Sequence, residues 1–378
     1  MVNTGKTTTE NSVRKKKSFR SKLFFGLYSL AFSSLLLSYL APYVSPQTFW
    51  PLAFFGLGYP IILIVNMLFM IWWALRWKRT FFIPFTAILI GWNQLGGLFQ
   101  VNLVPTEDSK DKIKIMSWNV HLFDLYNWKY NEKTRNKIFE LIKSETPDVI
   151  CLQEIFVDDS RKFVTLDTLG QIQPAKNLHV EFTTTLNRVH HWGICTYSKY
   201  PIVNKGKIEF HTDANNSCIY TDLKIGNDTI RVYNMHLQSI LFRKEDYTFI
   251  DNVIKNKETD ELQSSKRILR RLKRAFLKRS VQVDLVMSHI NECPYPMIVC
   301  GDFNEIPSSY TYQEFTSKLT DSFSQSGYGL GKTYNGTFPF LRIDYILHSN
   351  IFSSSDYQTL RDTLSDHFPI TCNLVKKK

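Results

Sequence analysis

Val299-Cys300-Gly301-Asp302-Phe303-Asn304-Glu305 is the stretch on which the reading of this chain turns. Met297 and Ile298 precede it behind Pro296, and a short apolar run after a proline reads as a fully buried strand. The run stops at Gly301. Side chains alternate between the two faces of a strand, so Asp302 and Asn304 project together into one cleft at its exit. An aspartate there can accept a proton from water or hold a metal-bound water. An asparagine can donate to a phosphate oxygen without adding negative charge. A Gly-Asp pair alone also fits an ordinary turn, so the rest of the chain has to choose between turn and site.

Other strand ends repeat the pattern. Ile113 to Val120 alternates and then delivers Asn119. Asp148 to Glu154 is a second buried strand, ending in Glu154, and Thr229 to Leu237 ends at His236. Arg342 to Leu347 carries Asp344, and Asp366-His367 leads into the last strand. Asn131 to Lys143, Asp246 to Ile254 and Ser265 to Ile290 have helical spacing. Strands outnumber helices and not every strand has a helical crossover. The expected fold is therefore α/β, a four-layer sandwich of two packed mixed sheets flanked by helices. Singly, each polar strand end has a local explanation, such as a satisfied core histidine or a turn carboxylate. Together they are carboxylates, amides and histidines with no thiolate set, a donor mix for Mg²⁺, Mn²⁺ or Ca²⁺ rather than zinc.

Six short motifs, in order, carry a resemblance. They are Ser117-Trp118-Asn119-Val120, Leu152-Gln153-Glu154, Asn234-Met235-His236-Leu237, Gly301-Asp302-Phe303-Asn304, Arg342-Ile343-Asp344-Tyr345-Ile346 and Ser365-Asp366-His367-Phe368-Pro369. From Ile113 to Leu374 the chain resembles the endonuclease/exonuclease/phosphatase superfamily, in its deoxyribonuclease and neutral sphingomyelinase branch. The resemblance implies that Glu154, with Asn119 nearby, holds the divalent metal and that Asp366 completes or supports that site. It implies that Asp302 deprotonates the attacking water and that Asn304 binds a phosphate oxygen. His367, polarised by Asp344, would stabilise the pentacovalent phosphorane, and His236 would contact the phosphate or protonate the leaving oxygen. Asn234 and Arg342, in the same motifs, are expected to bind substrate. A cation with histidine and asparagine donors suits the charge that develops in phosphodiester hydrolysis.

The resemblance leaves the first third uncovered. Residues 23–101 are nearly devoid of acidic side chains and rich in Phe, Leu, Ile and Trp. Three stretches there, 23–43, 49–75 and 81–101, have the roughly 20 apolar residues a bilayer crossing needs, although Asn93 and Gln94 also admit an interfacial reading of the third. About three transmembrane helices are thus expected over 23–104, after a basic segment 1–22 and before a linker 105–111 and a catalytic domain 112–378. Arg14 to Lys17, Arg20 and Lys22 before the first stretch, and Arg76, Lys78 and Arg79 after the second, mark the cytoplasmic side. Three crossings then place the catalytic domain on the non-cytoplasmic face of the plasma (inner) membrane. Two would leave it in the cytoplasm.

The net charge of +12 includes a second basic cluster, Lys266 to Arg279, with the spacing of an amphipathic helix. It fits anionic lipid headgroups, a nucleic-acid backbone or a plain solvated face. The six cysteines lack metal-ligand spacing. The expected function is a membrane-anchored, metal-dependent phosphodiesterase. Its partners are membrane lipids and a phosphodiester substrate, a phospholipid headgroup or nucleic acid, and no protein partner is evident. A non-catalytic scaffold that binds phosphoinositides or a partner is the alternative outside enzymes, against which Asp302, His236 and His367 together argue.

Overall fold

Apolar alternation sets the layers. The computed structural model describes residues 19–102, 112–127, 132–172, 174–210, 216–254, 261–336 and 341–377. The linker at 105–111 and the basic residues 14–17 lie outside the described residues. In chain order the strands are β1 Phe99–Val101, β2 Lys112–Asn119, β3 Val149–Asp158, β4 Asn177–Leu186, β5 His190–Ser198, β6 Ile202–Ile208 and β7 Ser217–Ile225. They continue with β8 Asp228–His236, β9 Met297–Asp302, β10 Thr320–Asp321, β11 Tyr328–Leu330, β12 Asp344–His348, β13 Phe352–Thr359 and β14 Ile370–Lys376. The helices are α1 Phe19–Leu40, α2 Pro46–Phe49, α3 Pro51–Leu75, α4 Phe82–Ile90, α5 Trp92–Gly96 and α6 Glu132–Glu145. After them come α7 Leu166–Ile172, α8 Lys244–Ile254, α9 Glu261–Asn291, α10 Tyr310–Thr316 and α11 Ser322–Ser326.

Two mixed sheets pack face to face, one in the order β13-β14-β2-β3-β5-β4 and the other β10-β12-β9-β8-β7-β6. Between them Ile115, Cys151 and Cys372 meet Val232, Ile298, Cys300 and Ile346. Outside the first sheet Met116, Trp118, Ile150 and Leu152 pack with Ile138, Phe139 and Ile142 of α6. Outside the second, Tyr233, Met235 and Val299 pack with Val283, Val286 and Met287 of α9. This is the α/β sandwich expected from the strand pattern.

The period of two fixes the site. The inner face of β9 reads Ile298, Cys300, Asp302, and that of β8 reads Val232, Asn234, His236, so each is apolar between the sheets and polar at its C-terminal end. β9 does not stop at Gly301 but runs to Asp302. Gly301 has φ +140°, and a Cβ there would sit 2.0 Å from the Met235 carbonyl oxygen. The glycine is needed for close approach of β8 and β9 rather than for a turn.

The N-terminal third differs from the expectation of three spanning helices. α1 and α3 form a hairpin, and among the described residues these two helices are long and apolar enough to cross a membrane by length and composition. The stretch 81–101 is broken into α4, α5 and β1. The break falls at Gly91, where a Cβ would collide with the Tyr39 ring at 2.3 Å. Only 17% of the apolar window in the first helix and 22% of that in the second is buried, so both leave most of their apolar surface uncovered. Residues 41–56, at the closed end of the hairpin, meet the sandwich. Phe54 makes an edge contact with Phe276, Lys273 stacks over Trp50, and Ser308 Oγ donates to the Gly56 carbonyl at 2.9 Å.

Candidate active site

Four strand ends and one loop build the cleft. Register places His236, Asp302 and Asp344 in one row across β8, β9 and β12. From the facing sheet, Asn119 at the end of β2 donates through Nδ2 to Asp302 Oδ2 at 3.1 Å and to Glu154 Oε1 at 3.2 Å. Glu154 reaches the cleft through a bulge. The β3–β5 register shifts between Leu152 and Ile155, both of which face α6, and Glu154 has φ +49°. The extra residue leaves Gln153 and Glu154 both on the inner side, which a straight alternating strand cannot do. His367, just before β14, completes the row. Its Nδ1 lies 3.0 Å from Asp344 Oδ2, and its Nε2 lies 3.7 Å from Asp302 Oδ2.

Electrostatics follow from burial. Burial raises the pKa of Asp302, and Asp344 adds to this, while His367 and His236 oppose it. The net effect is a basic carboxylate poised to take a proton. For His367 burial disfavours the charge, but the Asp344 and Asp302 carboxylates outweigh it and hold the ring well above an ordinary histidine. The two carboxylates thus favour the charged, imidazolium form of His367. His236 is buried, and its Nε2 lies 3.4 Å from Glu154 Oε1 and 3.7 Å from Asp302 Oδ2 with no well-formed hydrogen bond. A buried nitrogen left over between two carboxylates fits a site shaped for a third group.

The structure brings together Asn119, Glu154, His236, Asp302, Asp344 and His367. Asn304 sits beside them at φ +54°. Its backbone N–H donates to Asp302 Oδ1 at 2.8 Å and its Nδ2 to the Leu237 carbonyl at 3.0 Å, so it locks the exits of β8 and β9 together. Asp366 lies at the rim, 2.9 Å from His121 Nδ1. Although burial raises the Asp366 carboxyl, the His121 hydrogen bond and the His367 charge bring it down to about 2.

Two residues expected to bind substrate lie elsewhere. Asn234 is fully buried beneath the cleft, where its Nδ2 donates to the Cys195 carbonyl at 2.7 Å and its Oδ1 accepts from Gln153 at 2.7 Å. It ties the two sheets together and presents nothing to a ligand in the cleft. Arg342 is 1% exposed and turns away, to Asp321 at 2.7 Å and the Gly97 carbonyl at 2.9 Å. It precedes β12, and its guanidinium packs over Phe323 and Tyr345.

Other contributors escape a motif reading. His121 holds Asp366, and its N–H donates to Asn119 Oδ1 at 3.1 Å. Its position two residues after Asn119 was the available signal. Tyr334 packs edge-on against His367 with ring centroids 5.3 Å apart, and nothing in its surroundings in sequence marked it. Arg279 reads as one more charge on a basic helix, yet it is 1% exposed. It donates to Glu305 Oε1 at 2.8 Å and to the Gln238 carbonyl at 2.6 Å, bracing the loops that follow His236 and Asp302. Arg279→Met leaves the Glu305 carboxylate buried without its counter-charge. The expected cost is about 3 kcal/mol, read as a fall in thermal stability, and Glu305→Gln in the same chain should recover part of it.

A two-sheet sandwich with polar strand ends converging on buried histidine–carboxylate pairs defines the class that the six motifs foreshadow. The model of the Endonuclease/Exonuclease/phosphatase family matches residues 116–367, well over half of the chain, and the protein belongs to that family. Residues 21–98 match a second model, a domain of unknown function (DUF8431). Among solved structures the fold is similar to the human Nocturnin catalytic domain with bound sulfate anion. The identity is 19%, the TM-score 0.52, and the match covers 72% of this chain and 96% of that one. It is also similar to an endonuclease/exonuclease/phosphatase from Beutenbergia cavernae, at 16% identity and TM-score 0.50 over 71% of this chain and 72% of that one. A family protein from Bacteroides thetaiotaomicron gives 18%, 0.50, 70% and 95%. No curated protein matches the chain.

Proposed function

We propose that the protein is a membrane-anchored, divalent-metal-dependent phosphodiesterase acting on phospholipid headgroups. The observation that carries the chemistry is the row His236, Asp302, Asp344 and His367, in which a basic carboxylate lies beside an imidazolium held charged by a second carboxylate. Asp302 takes the proton of the attacking water, and His367 stabilises charge on the phosphoryl oxygens. His236 faces the same space and serves the phosphate or the leaving oxygen. Asp302, Asp344 and His367 lie close enough to enclose an ion, but His367 Nδ1 is already engaged by Asp344 at 3.0 Å and its Nε2 faces Asp302 at 3.7 Å. The residue we assign to hold Mg²⁺, Mn²⁺ or Ca²⁺ is Glu154, which is partly open to solvent, with Asn119 beside it and Asp366 in support. A cation there supplies Lewis-acid charge stabilisation.

Contacts of the hairpin support the lipid reading and the non-cytoplasmic placement. The sandwich packs on the closed end of the hairpin, residues 41–56, whereas Lys22, Arg76, Lys78 and Arg79 cluster at the opposite end. A basic end on the cytoplasmic side then sets the sandwich on the far side, a placement that requires the shorter, broken apolar run through α4 and α5 to make a third crossing. Part of the basic helix is engaged within the protein rather than free to grip a nucleic-acid backbone. Arg267 and Arg271 are bound to Asp246, and Arg279 is buried on Glu305.

The test places the full chain in right-side-out membrane vesicles and adds Mg²⁺ with bis(p-nitrophenyl) phosphate, phospholipid vesicles or plasmid DNA. Release of a phosphorylated headgroup, stopped by EDTA and needing no detergent, is the expected result. DNA cleavage without headgroup release would make the protein a tethered nuclease. Activity that appears only after detergent would put the sandwich in the cytoplasm.

A further inference from the structure

Residues 305–309, which follow Asp302 and Asn304 out of β9, form a loop that is buried along its whole length. Connecting segments ordinarily run over the surface, where water satisfies their backbone, so this one is covered for a reason. On one side it rests on the sandwich. Tyr345 Oη donates to the Glu305 carbonyl at 2.7 Å, and Arg279 holds the Glu305 carboxylate. On the other side it rests on the N-terminal third, the part of the chain that matches a domain of unknown function. Pro307 lies on Gly97, where a Cβ would come within 2.5 Å of the Pro307 Cβ. Ser308 lies on Gly56 of α3, where a Cβ would come within 2.6 Å of the Ser308 carbonyl oxygen.

α3 carries a notch shaped for this loop. In an unbroken helix the Gly56 carbonyl would accept from the N–H of residue 60, but that residue is Pro60, inside α3, and has no N–H. The carbonyl so released accepts from Ser308 Oγ at 2.9 Å. The two helix residues act as a pair. Gly56 leaves room for the loop backbone, and Pro60 frees the acceptor that holds it. A serine hydroxyl that satisfies a group freed by proline is one way an apolar helix tolerates proline in its interior. Here the serine comes from the sandwich, four residues beyond Asn304 and six beyond Asp302. The chain between has little slack. The Phe303 N–H donates to the Ile343 carbonyl at 2.8 Å, the Asn304 N–H to Asp302 Oδ1 at 2.8 Å, and the Ser309 N–H to the Ile306 carbonyl at 3.1 Å. A shift of Ser308 is therefore passed to the side chains in the cleft.

We propose that the N-terminal third completes the active site, with Ser308 as a positioning residue whose seat in the Gly56–Pro60 notch fixes the loop that carries Asp302 and Asn304. The inference rests on the phosphodiesterase reading for the activity, though not for the seat itself. The experiment uses the full chain in phosphatidylglycerol vesicles with Mg²⁺. It reads kcat and KM for bis(p-nitrophenyl) phosphate, melting temperature, and backbone hydrogen exchange. Ser308→Ala should lower kcat by about tenfold, within the hundredfold that a displacement of about 1 Å can cause, and leave KM unchanged. Exchange over 303–309 should quicken while 112–119 stays protected. The same change leaves the Gly56 carbonyl without its donor, so the melting temperature should fall. Pro60→Ala gives that carbonyl an N–H from its own helix. The Pro60→Ala, Ser308→Ala double variant should therefore regain melting temperature but not kcat. Gly56→Ala, which pushes a methyl group against the loop backbone, should lower kcat independently. Gly58→Ala, whose Cβ meets only the Ile62 side chain, should match the parent. Recovery of kcat together with melting temperature in the double variant would reduce Ser308 to a structural role and overturn the proposal. Exchange over 303–309 unchanged in both Ser308→Ala and Gly56→Ala would overturn it as well. If the parent hydrolyses no phosphodiester, the phosphodiesterase reading falls, and the exchange pattern alone decides the seat.

Discussion

Asp302→Asn should lower phosphodiester turnover by roughly a thousandfold or more, the loss expected when a general base is removed from an otherwise intact site. The same substitution should leave the protein folded with little change in melting temperature, because relief of a buried carboxylate is offset by the Asn119 Nδ2 donor losing its acceptor. Asp302 is buried with its pKa raised by desolvation and by Asp344, so its ionised form opposes folding. Asparagine keeps an acceptor for the Asn304 N–H, which Asp302 Oδ1 engages at 2.8 Å. Loss of activity without loss of melting temperature identifies a reacting group rather than a structural one. A variant that is inactive and unfolded, or one that keeps a tenth of its activity, would remove Asp302 from the base role.

His367 and Asp344 should behave as one unit. His367→Gln removes the buried positive charge facing Asp302, and a loss on the order of a hundred- to a thousandfold is expected. Asp344→Asn keeps the shape but removes the carboxylate that, against the penalty of burial, holds His367 charged. The pair substituted together should cost little more than the worse single change, because each acts through the other. The pH profile separates this from simple damage. In the parent the His367 pKa lies well above its ordinary value, so the imidazolium persists as pH rises through neutrality. In Asp344→Asn that pKa falls back towards the ordinary value of about 6.5, and activity should decline as pH rises through that region. A pH profile unchanged by Asp344→Asn, or strictly additive losses, would show that the two side chains work independently.

Much of the site was legible because strand periodicity is local. Ile298, Cys300 and Asp302, or Val232, Asn234 and His236, share a face by the backbone's period of two, whatever packs against them. The order of six polar strand ends was enough to point to the family and the sandwich. The same logic failed where a side chain's target is distant in sequence. Arg342 and Asn234 sit in the right motifs, yet one turns to Asp321 and Gly97 and the other sews the sheets together through Gln153 and Cys195. Arg279 looked like a solvated charge until Glu305 was found beneath it. Glu154 was expected at the site, but the bulge that turns it there is written in the register between β3 and β5 rather than in its own segment.

The N-terminal third divides in the same way. Hydropathy over 19–75 determined two helices fit to cross a membrane, because length and composition are properties of the segment alone. Over 81–101 hydropathy could not tell a continuous helix from a kinked return, since the break falls at Gly91, which leaves room for Tyr39, 52 positions earlier in the chain. Sequence by itself therefore determined the sandwich, the six polar strand ends and the two apolar helices, all of which follow from patterns a few residues long. Only tertiary structure decided which partners those residues meet, that His367 is held charged between two carboxylates, and that the hairpin's closed end lies against the sandwich. Those outcomes depend on contacts between segments far apart in the chain, and the free energy of burying or pairing a group exists only once its neighbours are in place.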